Sequence, residues 1–77
     1  MNDEVTFEVT EQCGTIVERP NGWTKEVNVV IWNGGVPKID IRDWDPSHER
    51  MSRGITLFEE EAQTLYQILK ERYEGVE

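Results

Sequence analysis

The chain has 77 residues, a single cysteine, a single histidine and a formal net charge of −8. That length is one domain, residues 1–77, and a chain so short buries only about 60% of its unfolded surface. Cys13 alone allows no internal disulfide, no Cys/His cluster offers a structural metal, and no apolar run approaches the ~18 residues of a membrane span.

Residues 1–4 are a short polar start. Val5, Phe7 and Val9 then alternate with Thr6, Glu8 and Thr10, the pattern of a half-buried strand. The alternation slips near Cys13-Gly14 and resumes through Ile16 and Val17, the mark of either a bend within one long strand, the favoured reading, or a tight turn between two short ones. Arg19-Pro20-Asn21-Gly22 reads as a turn.

The most ordered pattern lies between Trp23 and Trp44. Val27, Val29 and Ile31 alternate with Asn28, Val30 and Trp32 in an expected strand over 23–32. Asn33-Gly34 supplies the positive φ values of a short hairpin turn. Ile39 and Ile41 alternate with Lys38, Asp40 and Arg42 in a strand over 38–44, with Pro37 at its start. The resulting ribbon has one aliphatic face, Val27, Val29, Ile31, Ile39 and Ile41. Its other face carries Asn28, Val30, Trp32, Lys38, Arg42 and Trp44.

Residues 45–53 form a polar loop, and Gly54–Leu57 a short fourth strand. From Phe58 to Tyr73 the period turns helical, with Phe58, Ala62, Leu65, Leu69 and Tyr73 on one stripe that Tyr66 and Ile68 widen. Glu59, Glu60 and Glu61 favour the first turn through the helix dipole, Thr56 and Glu59 have capping-box spacing, and Gly75 ends the helix. The fold class is α+β, a four-stranded curved antiparallel sheet followed by one C-terminal helix (ββββα). One helix cannot cover such a sheet, and a homodimer is the simplest way to bury the rest.

Catalysis finds little support. His48 and Cys13 lie in different segments with no third orienting group. Asp40 and Arg42 share a face while Asp43 points to the other, so Asp40, Asp43 and Asp45 do not converge on a metal. No phosphate-cradling loop precedes a helix. No cofactor is implied, and the chain reads as non-enzymatic. An unpaired thiol and the lack of a signal peptide predict a soluble cytoplasmic protein.

The net charge opposes non-specific polyanion binding, yet nearly all the cations lie in or beside the ribbon. Trp32, Lys38 and Arg42 follow from the period on the non-aliphatic face, and Trp44 extends it. Indoles beside cations suit single-stranded nucleic acid, because unpaired bases stack on aromatic rings for about 1–3 kcal/mol each while Lys and Arg follow the phosphates. Lys25 has the opposite phase, and Arg50 and Arg53 belong to the loop.

Three runs carry a resemblance: V-x-V-x-x-W-x-G, then K-I-D-I-R-D-W, then R-G-I-T-L-x-x-E-E before an amphipathic helix. Over residues 5–73 the chain resembles the positive cofactor four family of transcriptional coactivators. It looks most like the small bacterial and phage members, which share G-W-x-K-E-x-N and D-P-x-H-E-x-M. The resemblance implies a homodimer paired through its helices, here Leu65, Ile68, Leu69 and Tyr73. It implies a groove that binds single-stranded DNA, or melted duplex, with little sequence preference. By matching position the binding residues are Trp32, Lys38, Arg42, Trp44 and Arg53, and the bacterial run adds Trp23, Lys25, Asn28 and Asn33. The expected partners are single-stranded DNA or RNA, a second copy, and transcription or replication proteins, with no membrane. The expected role lies in transcription, replication, recombination or repair. The alternative is a protein-interaction module of the same fold with attenuated nucleic-acid binding.

Overall fold

The computed structural model describes residues 5–74, so the polar start and the expected helix stop at Gly75 lie outside the described residues. In chain order come β1 (Phe7–Glu18), β2 (Thr24–Trp32), β3 (Pro37–Trp44), β4 (Met51–Leu57) and α1 (Glu59–Glu74). The strands form one antiparallel sheet in the order β1-β2-β3-β4. The ββββα architecture expected from the sequence is present.

β1 is one strand, as expected, but its pairing with β2 shifts register three times. One shift, between Gln12 and Gly14, lies where the alternation slips; the others fall between Val9 and Glu11 and between Thr15 and Val17. Each bulge bends a strand and increases its twist. The sheet therefore curls strongly. Phe7 pairs with Trp32 and Trp44 with Thr24, at opposite ends of β2, yet the Phe7 and Trp44 rings approach to 5.3 Å.

The β2–β3 turn follows its sequence. Asn33 and Gly34 have φ of 51° and 73°, and the Gly35 N–H donates to the Trp32 carbonyl at 2.8 Å. β4 begins at Met51 rather than at the expected Gly54, because Met51 pairs with Trp44 across an irregularity that hides the alternation. The preceding loop is organised by Asp45. Its Oδ1 accepts from the Glu49 and Arg50 N–H groups at 2.9 and 3.1 Å, and its Oδ2 from Ser47 Oγ at 3.0 Å. The backbone N–H of Arg50 does most to hold this carboxyl below its usual range.

The expected Thr56–Glu59 capping box does not form. Thr56 remains in β4, and its hydroxyl is committed to Asp40. Phe58 occupies the cap position instead, and its N–H donates to the Glu61 carboxylate at 2.8 Å. α1 packs against β3 and β4 and has no buried residue among those described. Ala62 and Leu65 are half-buried, whereas Tyr66, Ile68, Leu69 and Tyr73 are exposed.

The core is not on the aliphatic face. Val27, Val29, Ile31, Ile39 and Ile41 are only half-buried, and Ile55 beside them is 55% exposed. The wholly enclosed residues, Val30, Asn28, Asp40 and Trp44, all lie on the other face. Curvature explains this: the sheet closes over its concave side and opens its convex side.

Candidate nucleic-acid interface

Trp32, Asn33, Lys38, Arg42 and Thr56 meet in an open depression of about 360 Å³ on the concave face. Four of these are residues expected to bind. Trp32 is half-buried, with the Arg42 guanidinium 4.7 Å from its ring centroid and the Phe7 ring 5.8 Å away. A cation over an indole face is attracted by the ring quadrupole. Lys38 reaches the depression from the start of β3, its ammonium 4.5 Å from the Phe58 ring centroid. Among the described residues no carboxylate pairs with Lys38, so its charge is available to an anion.

Arg42 is held differently. Its Nε and Nη2 donate to the two oxygens of Asp40 at 2.6 and 2.8 Å. Nη2 also donates to Thr56 Oγ1, and Nη1 to the Ser52 carbonyl. Thr56 in turn donates to Asp40 Oδ2 at 2.8 Å. Asp40 is fully buried and the Arg42 side chain is 13% exposed. A bidentate fork to a buried carboxylate is among the stronger charged pairings. Arg42 therefore positions Trp32 rather than offering an uncommitted charge. Gly54 makes room for it: a Cβ there would lie 2.4 Å from both Arg42 Cβ and the Ile41 carbonyl.

The remaining expected residues separate. Trp44, expected as a second stacking platform, has no exposed surface. Its ring sits against Phe7 and stacks on His48 at 5.7 Å and 19°. As folded it belongs to the core, so it supports Trp32 through Phe7 and offers no face to a base. Asn28 is 1% exposed, and its Nδ2 donates to Glu26. The Asn33 side chain accepts from the Thr6 N–H at 3.0 Å, tying β1 to the turn. Lys25 lies on the convex side, where it and Arg19 share Asp43 at 3.5 and 2.6 Å. The Arg19 hydrogen bond is the main reason the Asp43 carboxyl stays below its usual range. Trp23 is half-buried just before β2, its N–H donating to Asn21 Oδ1. Arg53 is exposed within the irregular β3–β4 pairing.

Sequence reasoning missed Phe7, Thr56, Glu26 and His48. Phe7 was legible only as a strand residue, and the others depend on contacts between segments. His48 Nε2 lies 2.7 Å from Glu26 Oε2. Burial pushes the Glu26 carboxyl up, but hydrogen bonds from Thr24, Asn28 and His48, with the His48 charge, outweigh it and hold it low. Cys13 is exposed, and desolvation together with Glu11 pushes its thiol up, away from a reactive thiolate.

The fold and this face define a small ββββα protein whose sheet presents an aromatic and cationic surface. The chain belongs to the transcriptional coactivator p15 (PC4) family, whose model matches residues 19–68, well over half of its length. It is also 39% identical over 69 residues to an uncharacterized protein of Treponema pallidum (strain Nichols), an alignment covering 90% of this chain and 81% of that protein. The matched segment runs from the β1–β2 turn into α1 and so contains the whole Trp32 depression. No helix among the described residues is long and apolar enough to cross a membrane.

Proposed function

We propose that the protein is a non-catalytic homodimer that binds single-stranded DNA with low sequence preference, in transcription, replication, recombination or repair. The observation that carries this reading is the depression in which a half-buried indole stands beside Lys38 and the anchored Arg42. Trp32 stacks on a base, Lys38 and Arg53 hold phosphates, and the Asp40–Arg42 pair keeps the indole in place. Membership of a coactivator family supports the same reading. The exposed apolar residues of the convex face and of α1, including Ile55, Ile68, Leu69 and Tyr73, are what a second copy would cover.

Tryptophan fluorescence during titration with an oligo-dT of about 20 nucleotides tests it, since single-strand sites on sheet faces span about 4–16 nucleotides. Quenching should saturate and weaken with salt. Two phosphate contacts per protomer, at Lys38 and Arg53, predict a slope of log K against log salt of roughly −1.4. Trp32→Ala should lower affinity at least about tenfold, the loss of one stacked base. Unchanged affinity in that variant removes Trp32 from the site. A second reading, a protein-docking module, draws on the exposed apolar stripe and acidic first turn of α1. Absence of oligonucleotide binding at low salt would favour it.

A further inference from the structure

The concave face carries a second depression, of about 260 Å³, near the other end of β2 from Trp32. Gln12, Gly14 and Thr15 of β1 line it, with Glu26 and Asn28 of β2 and His48 of the loop. Its volume lies below the roughly 300–1,000 Å³ of sites that hold whole small molecules, so it suits the edge of a single base rather than a whole nucleotide.

Its hydrogen bonds are unbalanced. Glu26 is 7% exposed and Asn28 is 1% exposed. Glu26 Oε2 takes both Thr24 Oγ1, at 2.6 Å, and His48 Nε2. Among the described residues Glu26 Oε1 takes only Asn28 Nδ2, at 3.2 Å. A carboxylate oxygen accepts about two hydrogen bonds, so Oε1 has capacity left. Among the described residues Asn28 Oδ1 has no hydrogen-bond partner. Leaving such a buried acceptor unpaired costs about 1–3 kcal/mol. Turning the amide over would set its oxygen against Glu26, so the unpaired group is the acceptor. Spare capacity at the floor of the pocket is thus acceptor capacity beside a buried carboxylate. A phosphate is repelled there. Neighbouring N–H donors are what it lacks.

Resting on the single-strand reading above, we propose that this pocket takes the Watson–Crick edge of a guanine base in the bound strand. Guanine alone among the four bases presents two adjacent donors, N1–H and N2–H, on that edge. Thymine presents one N–H between two carbonyls and would set an oxygen against Glu26. Adenine and cytosine offer one amino group beside a ring acceptor. Unstacked bases in single strands are commonly read on this edge. The position suits the same ligand: Asn28 and Trp32 lie on one face of β2, about 13 Å apart at the rise of a strand. His48, stacked on Trp44 and bonded to Glu26, closes the loop side of the pocket.

The test compares fluorescein-labelled oligo-dT with the same oligonucleotide carrying one central deoxyguanosine, by anisotropy at fixed salt. The guanine strand should bind at least about fivefold tighter, the lower end of a bidentate base contact. Deoxyinosine in its place, which lacks the N2 amino group, should lose most of that gain. In Glu26→Gln the two affinities should come within about twofold of each other, because the anionic acceptor is gone. The inosine arm needs no variant, so it stands even if Glu26→Gln folds poorly. Equal binding of the two strands by the unaltered protein overturns the pocket and leaves the single-strand reading standing. A preference that survives both inosine and Glu26→Gln also overturns it. No binding of any strand overturns both.

Discussion

Asp40 and Arg42 should behave as a single unit, and a double-mutant cycle can show it. Asp40 accepts three hydrogen bonds, from Arg42 Nε, Arg42 Nη2 and Thr56, at 2.6 to 2.8 Å, and it has no exposed surface. Asp40→Leu leaves the guanidinium with only the Ser52 carbonyl, Met51 sulfur and Thr56 hydroxyl. Arg42→Met leaves a buried carboxylate with Thr56 alone. Removing one member of a buried pair costs about 3–5 kcal/mol, because the other charge stays desolvated and uncompensated. A domain of this size has roughly 4–12 kcal/mol in total. Each single variant should therefore approach the limit of folding. The double variant replaces both charges with apolar groups, so it should be more stable than either single one. The assay is urea unfolding followed by far-UV circular dichroism, at one protein concentration so that the proposed self-association contributes equally to every variant. Single variants that each lose less than about 1 kcal/mol would match the worth of an exposed ion pair, and would refute the buried network. So would losses that simply add in the double variant.

Gly54→Ala should destabilise the protein by about 1–3 kcal/mol, as overpacking does, since the new methyl group meets the Ile41 backbone and Arg42 Cβ at 2.4 Å. It should also weaken oligonucleotide binding through the displaced Arg42, and a neutral effect on both would deny the close approach. Stability should hold from neutral pH down to the ordinary carboxylate range and fall below it. Glu26, Asp43 and Asp45 all have folded-state values below their unfolded ones. Their contribution is present above the unfolded pKa, about 4, and is lost as pH drops through the folded values. Unfolding midpoints that instead rise as the pH is lowered from 5 to 3 would contradict the hydrogen bonds assigned to these carboxylates.

Much of this fold was legible because period two survives wherever pairing is regular. β2 and β3 pair without a shift over eight residues, and there the alternation named both faces correctly. The hairpin was legible because positive φ at two successive positions selects Asn-Gly. β4 was truncated in the sequence reading because its pairing is irregular between Arg42 and Trp44. Which face would be the core was not legible. Alternation separates two faces but does not say which one curvature will close. Three register shifts in β1 set that curvature, and only the one beside Gly14 left a mark in the sequence. Trp44 follows from this: its phase was read correctly, yet the curl brings Phe7 and His48 onto its ring.

The two most specific runs are halves of one structure. Asp40-Ile41-Arg42 lies on β3 against Gly54-Ile55-Thr56 on β4, with Asp40 opposite Thr56 and Arg42 opposite Gly54. The aspartate needs a partner across the ladder and finds the threonine hydroxyl. The arginine needs space across the ladder and finds the residue without a side chain. Each run read alone looks like a charged strand edge or a turn remnant. Together they hold the guanidinium fork in place over the Trp32 ring. On the proposed reading, a base stacking on that indole would meet a guanidinium already held in place, so less of the stacking energy would be spent on ordering side chains. The family motif is, on this view, the support beneath the platform, while the proposed contact to phosphate falls to Lys38 and Arg53, which flank it and, unlike Arg42, have no carboxylate partner among the described residues.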